Sequence, residues 1–130
     1  MYKPISVLEE NPLHVIIVYS DSLPSDFFKK LSTFIMLQAT RSRKRRVVLH
    51  VFTNRENPLY LEDLRDLIQN NVALTITTRH YRLEKKLVEE LLGCLKEKNE
   101  EFYIFIEETT RKLVEPLEVG EPEIIKTIEG

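Results

Sequence analysis

The residues best placed to do chemistry form a short polar turn, Ser20, Asp21 and Ser22, directly after an apolar run at residues 15–19. A turn that ends a strand and opens a helix brings hydroxyls and unpaired backbone N–H groups together, which suits an anionic ligand. The same residue types also serve simply as helix caps. The sequence therefore predicts a ligand site here, with helix capping as the alternative.

Further polar segments follow the other apolar runs, at residues 53–57, 77–82 and 107–111. Hydroxyl and amide groups suit a ribose, arginine suits a phosphate, and an aromatic ring can stack on a base. We expect these segments to be turns at the same edge of the molecule as the first. Their candidate ligand-binding residues are Thr53, Asn54, Arg55, Thr78, Arg79, Thr109 and Thr110.

Glycine-rich phosphate loops are absent from the sequence. No glycine precedes Gly93, whereas the dinucleotide fingerprint and the P-loop both need glycine where the backbone approaches a phosphate. This argues against the usual NAD, FAD, ATP and GTP sites, and we expect no cofactor. The single cysteine, Cys94, forms no zinc-binding pattern with a histidine and is expected to be a small buried residue.

A catalytic role has weaker support, and no residue is assigned one. Asp21 and either Glu107 or Glu108 could hold Mg²⁺ for a nuclease or phosphodiesterase. Consecutive residues of an extended chain point to opposite sides, so only one of the two glutamates could join Asp21, and two acids make a poor metal site. Of the three scattered histidines, His50 is expected to be structural.

The most distinctive local composition is a basic segment at residues 41–46, between the first predicted helix and the second strand. Residues 1–60 carry nine Lys and Arg against five Asp and Glu, a net of +4, while residues 61–130 carry ten against sixteen, a net of −6. A cluster of this kind can neutralise several phosphates, which predicts nucleic-acid contact as an alternative function. Its residues are Arg41, Arg43, Lys44, Arg45 and Arg46.

The elements that must position these residues alternate between apolar runs and helical patterns. The runs lie at 14–19, 47–53, 73–78 and 102–106, and helices are predicted at about 26–40, 58–70 and 83–98. This pattern is typical of a three-layer, Rossmann-like α/β sheet with four mainly parallel strands and three helices. The first run is apolar throughout and should be central, whereas the third alternates like an edge strand, which favours the order 3-2-1-4.

The remaining segments are short. Residues 1–13 are expected to be irregular, and the tail at 111–130 is expected to hold an antiparallel edge strand near 114–119 and helical turns near 122–128. With 130 residues the chain predicts a single domain over 1–130. Its apolar fraction of 42% and the lack of a long apolar segment favour a cytoplasmic protein. Seventeen Glu against two Gln is typical of a thermophile.

The first predicted helix is apolar on more than one stripe over residues 27–39, which predicts a homodimer through this helix. At the level of fold, the order of elements, the turn at 20–22 and this wide apolar helix resemble the CARF sensor domains. That resemblance implies a dimer that binds cyclic oligoadenylates at strand-end loops. We therefore expect a non-enzymatic domain that binds a nucleotide-like anion, with a nucleic-acid-binding protein, a nuclease and a protein-interaction module as alternatives.

Overall fold

The computed structural model describes residues 11–20, 23–24, 26–54, 74–114 and 125–128. Within them an open sheet carries helices on both faces. The strands are β1 (Leu13–Val18), β2 (Arg46–Thr53), β3 (Thr75–Arg82), β4 (Phe102–Glu107) and β5 (Ile125–Ile128). The helices are α1 (Phe27–Ser42), α2 (Lys85–Glu97) and the short α3 (Arg111–Val114), which follows a 3₁₀ turn at Glu108–Thr110.

The strand order is β3-β2-β1-β4-β5, and every neighbouring pair is parallel. The predicted α/β class and the order 3-2-1-4 of the first four strands are therefore confirmed. β1 is central, as its uninterrupted apolar run indicated. The run is apolar throughout because helices cover both faces of this strand. The second predicted helix, at about 58–70, lies outside the described residues.

The C-terminal edge of the sheet differs from the prediction. β5 pairs with β4 in parallel and occupies Ile125–Ile128, where helical turns were predicted. The antiparallel strand predicted near 114–119 lies, apart from residue 114, outside the described residues. The helical turns come earlier, in α3. More than a dozen residues separate β4 from β5, and a connection of that length can return the chain to the same end of the sheet for parallel pairing.

The core has two halves, one on each face of the sheet. Odd-numbered residues of β1 and β2 pack against α1, and even-numbered residues of β1 and β4 pack against α2. This separation follows from the alternation of side chains along a strand. It also agrees with right-handed crossovers, which in a sheet of this strand order place the helices that follow β1 and β3 on opposite faces.

The two long helices bury different amounts of their surfaces. Along α2 the buried positions are Val88, Leu92 and Leu95, and Cys94 is exposed, because it lies off that helical stripe. The expectation of a buried Cys94 is therefore wrong. On α1, Met36 and Leu37 are 48% and 56% exposed. Among the described residues, no helix is long and apolar enough to cross a membrane.

Candidate functional site

A cluster of hydroxyl and carboxyl groups lies at the carboxyl ends of β1 and β4. Ser20 follows β1, Glu107 ends β4, and Thr110 closes the 3₁₀ turn that follows. Oγ of Thr110 lies 2.9 Å from the Ser20 backbone nitrogen, 3.1 Å from the Ser20 Oγ and 2.9 Å from Oε1 of Glu107. The sequence predicted that these two strand ends would meet, and the structure brings Ser20 and Thr110 together.

The chemistry of these groups orients the hydrogen bonds. The Glu107 carboxylate only accepts, so the single proton of the Thr110 hydroxyl points to it. The two lone pairs of that hydroxyl then accept from the Ser20 N–H and the Ser20 O–H. Thr110 is fully buried, whereas Ser20 and Glu107 are half-buried. Thr110 therefore forms the floor of the cluster, and the other two side chains are its accessible rim.

The structure places the other predicted ligand-binding residues in different locations. Thr53 ends β2 at the same edge and is buried, and Asn54 follows it and is exposed. Asp21, Ser22 and Arg55 lie outside the described residues, and for Thr109 only the backbone is described.

Thr78 and Arg79 do not lie in a turn, so their predicted location at the carboxyl edge is wrong. β3 continues to Arg82, and its register places Thr78 opposite Leu49 and Arg79 opposite His50, midway along the strand. The physical reason is that the β-branched and aromatic residues of this segment fit a pleated strand paired along the whole of β2.

The basic segment at 41–46 lies at the opposite, amino edge of the sheet, where it joins α1 to β2. Arg43 adopts the left-handed conformation that ends α1, with φ of 54°. Lys44 is half-buried and the four arginines of the segment are exposed. Among the described residues, none of its five cations lies within ion-pairing distance of a carboxylate.

A second polar cluster crosses three strands on the α2 face and reaches the turn before β4, and we call it the histidine chain. Nε2 of His14 lies 2.5 Å from Oε2 of Glu100, just before β4. Nδ1 of His14 lies 2.9 Å from Nε2 of His50, and Nδ1 of His50 lies 2.8 Å from the Tyr81 hydroxyl. Its members are thus Glu100, His14, His50 and Tyr81, and each successive residue along β1, β2 and β3 lies further toward the carboxyl edge.

The rings of this chain pack against one another and against Phe52. The His14 and His50 rings are 22° from coplanar with centroids 5.1 Å apart, which is the arrangement of two rings joined edge to edge by an N–H···N bond. The ring of Tyr81 stacks on Phe52 at 4.5 Å. His14 and His50 are 7% and 1% exposed, so water does not compete for their nitrogens.

Burial also fixes the charge of the two imidazoles. Burial lowers the pKa of His50 to about 3, aided by the neighbouring His14 and by the positive charge of Arg79. For His14, burial lowers the pKa as well, and the opposing effect of Glu100 is not sufficient to reverse it. Both imidazoles are therefore neutral at pH 7.

Sequence reasoning identified His50 as structural but missed the chain that it joins. The signal was present: His14, His50 and Tyr81 lie on strands that the order 3-2-1 makes adjacent. Whether their side chains share one face depends on the register between strands, which is a property of the assembled sheet. Glu100 lies in a turn, where no periodicity assigns a direction.

Metal chemistry has no support in the part of the chain that the structure describes. No group of three or more His, Cys, Asp or Glu side chains is arranged there to hold a metal ion. The nuclease hypothesis depends on Asp21, which lies outside these residues, and so stays a prediction.

Comparison with known proteins supports the fold but does not identify a function. No family model matches the chain, and no curated protein matches it. A solved structure of a hypothetical protein from the thermophilic archaeon Sulfolobus tokodaii matches with a TM-score of 0.51 and 17% identity, covering 89% of this chain and 94% of that one. The class defined by fold and site is thus a small Rossmann-like α/β domain with a polar strand-end cluster. The resemblance to CARF domains remains an expectation.

Proposed function

We propose that this protein is a non-enzymatic binding domain for a nucleotide-like anionic ligand, held at the carboxyl edge of the sheet between β1 and β4. One observation carries the proposal: Ser20, Thr110 and Glu107 are joined by hydrogen bonds where the strand order reverses. Open parallel sheets bind their ligands in the crevice at this point. Hydroxyl and carboxyl groups on its rim give the crevice specific polar contacts.

The charge of Glu107 decides which part of the ligand it meets. A carboxylate accepts hydrogen bonds from hydroxyl groups and repels phosphate, so the sugar of the ligand would lie against Glu107 and Ser20. The phosphate would lie toward positive groups at the same edge. Among the described residues these include Arg111, at the start of α3, and the amino end of α1, which begins at Phe27.

The test is a series of calorimetric titrations and thermal shifts with adenosine, its 5′-monophosphate, cyclic and linear dinucleotides, and ribose 5-phosphate. A ligand at 100 times its dissociation constant adds about 2.7 kcal/mol of apparent stability. We expect a nucleotide to bind, and Glu107→Gln and Ser20→Ala to weaken it about tenfold each. Arg45→Ala, at the opposite edge, is the matched control and should bind normally.

Two results would contradict the proposal. One is the absence of a shift with every nucleotide and sugar phosphate in the series. The other is binding that survives Glu107→Gln and Ser20→Ala but is lost in Arg45→Ala, which would move the site to the amino edge.

A second candidate function is nucleic-acid binding through the basic segment, favoured by its five cations without carboxylate partners among the described residues. Affinity for DNA or RNA would then fall steeply with salt, because binding releases counterions from the phosphates. Replacing Arg43, Arg45 and Arg46 together by Ala should reduce that dependence. Binding that is insensitive to salt would contradict this function.

The domain would act as a homodimer through the outer surface of α1. The exposed Met36 and Leu37 support this, since large apolar side chains on one helix favour contact with another chain. A protein-interaction module would use the same surface for a different partner. Sedimentation of the purified protein distinguishes the two: a dimer supports self-association, and a monomer at all concentrations contradicts it.

A further inference from the structure

The histidine chain is separate from the strand-end cluster, and its hydrogen bonds run in one direction. The carboxylate of Glu100 can only accept, so Nε2 of His14 carries a proton and donates it. Nδ1 of a neutral His14 is then an acceptor, which requires His50 to donate from Nε2. Nδ1 of His50 is an acceptor in turn, and the Tyr81 hydroxyl donates to it. Every donor thus points from Tyr81 toward Glu100.

Among the described residues, no group donates to the Tyr81 oxygen, so its lone pairs stay unused. A phenol hydroxyl has one proton, and in Tyr81 that proton is committed to His50. Toward anything else Tyr81 can act only as an acceptor. Tyr81 is half-buried, whereas the two histidines behind it are buried.

A cation lies beside this acceptor. Arg79 precedes Tyr81 by two residues on β3, so the two side chains share one face of the sheet. Arg79 is exposed, and its charge reaches both His14 and His50. Among the described residues it makes no ion pair. An anionic group is therefore the natural partner of this guanidinium.

We propose that Arg79 and Tyr81 form a second ligand site for an anion that carries its own hydroxyl, with Tyr81 acting as the base toward that hydroxyl. Arg79 would hold the charged oxygens, and the Tyr81 oxygen would accept the hydroxyl proton. A monoprotonated phosphate, either free or as a monoester, has this combination of groups. The site is independent of the nucleotide site proposed above.

Proton transfer from the ligand to Glu100 passes through this site without forming a charged imidazole. The ligand proton moves to the Tyr81 oxygen as the Tyr81 proton moves to Nδ1 of His50. The Nε2 proton of His50 moves to Nδ1 of His14, and the Nε2 proton of His14 moves to Glu100. The ligand is then deprotonated, Glu100 is protonated, and both imidazoles are neutral in the opposite tautomer. Among the described residues, the charged groups that act on the two imidazoles are Glu100, Arg79 and Lys98.

Inorganic phosphate and sulfate form a matched pair of probes. They have similar shapes, but near neutral pH only phosphate retains a hydroxyl. Calorimetry with the wild-type protein should show phosphate binding about tenfold more tightly than sulfate, the value of one hydrogen bond to a charged partner. Tyr81→Phe keeps the ring that stacks on Phe52 and should abolish this preference while sulfate affinity is unchanged.

The charge of Arg79 is tested in parallel. Arg79→Gln should reduce affinity for both anions, whereas Arg82→Gln should not, because Arg82 lies on the opposite face of β3 and pairs with Glu84 at 3.2 Å. Equal binding of phosphate and sulfate, binding of neither, or equal losses in the two arginine variants would overturn the site.

The direction of the chain has a separate spectroscopic readout. Long-range ¹H–¹⁵N spectra of the wild-type protein at pH 7 should show His14 and His50 both neutral and both protonated on Nε2. Protonation of His50 on Nδ1, or an imidazolium at either position, would overturn the proposed direction of proton transfer. These spectra do not involve nucleotides, so they fail or succeed independently of the strand-end proposal.

Discussion

His14 and His50 share one hydrogen bond of 2.9 Å in the interior of the sheet, with less than a tenth of either residue exposed. One ring must donate and the other must accept. Because burial, and to a smaller extent the charge of Arg79, lowers the pKa of both rings, both are neutral near pH 7. This relationship gives the protein a defined response to acid.

Stability should fall as the pH falls below about 6.5. Both histidines have a lowered pKa in the folded state, that of His50 to about 3, so the unfolded chain binds protons first as the medium becomes acidic. For each imidazole that stays neutral in the folded protein, the free energy of unfolding falls by up to about 1.4 kcal/mol for every pH unit below the pKa of that histidine in the unfolded chain. Urea unfolding at pH 7.5, 6.5, 5.5 and 4.5 measures this slope.

The matched control for that slope is His80, which is exposed on β3. His80→Gln should leave the pH dependence unchanged, while His50→Gln should make it shallower, even though it also lowers stability at pH 7. If stability depended on pH identically in the wild type and in His50→Gln, the pH dependence could not be assigned to His50.

Tyr81→Phe should destabilise the fold by about 1–3 kcal/mol. The substitution leaves Nδ1 of the buried His50 without its donor, and an unsatisfied buried polar group costs this much. Chemical denaturation at pH 7.5 measures the loss. The control is Tyr103→Phe, which removes a half-buried hydroxyl that hydrogen-bonds to Gln38 and Glu101. If Tyr103→Phe lowered the free energy of unfolding as much as Tyr81→Phe, the buried histidine chain would not be the cause of the larger loss.

Thr110→Val should cost about 1–3 kcal/mol and should also weaken the nucleotide binding proposed for the carboxyl edge. The side chains are nearly isosteric, but valine leaves the Ser20 N–H and the Glu107 carboxylate without their shared partner. Thr77→Val, on the exposed part of β3, is the control and should change stability by no more than about 0.5 kcal/mol. Equal unfolding free energies for the two variants would show that Thr110 does not organise the cluster.

Ile104→Ala should cost about 2–5 kcal/mol, because it opens a cavity in the fully buried layer between β4 and α2. Leu37→Lys, on the exposed surface of α1, should leave the stability of a monomer nearly unchanged. If α1 forms a dimer, Leu37→Lys should dissociate it. Sedimentation and thermal unfolding of both variants, measured over a range of concentrations, separate packing from self-association.

The sequence by itself determined the architecture. Apolar runs that are continuous in β1 and alternating in β3 were enough to place one strand at the centre and the other at an edge, because burial on two faces or one leaves a local pattern. The two strand ends that meet at Ser20 and Thr110 followed from that order. The orientation of β5 did not, because the segment after α3 has no pattern that distinguishes parallel from antiparallel pairing.

Only the tertiary structure decided what the individual polar side chains do. Local composition suggested a turn at Thr78 and Arg79, but pairing along the full length of β2 made them part of a strand and moved Arg79 next to the histidine chain. His50 lies 31 residues or more from His14 and from Tyr81 in the sequence, yet its ring nitrogens are less than 3 Å from a polar atom of each in the fold. Contacts between distant residues depend on strand register, which the sum of many packing interactions sets and no single segment encodes.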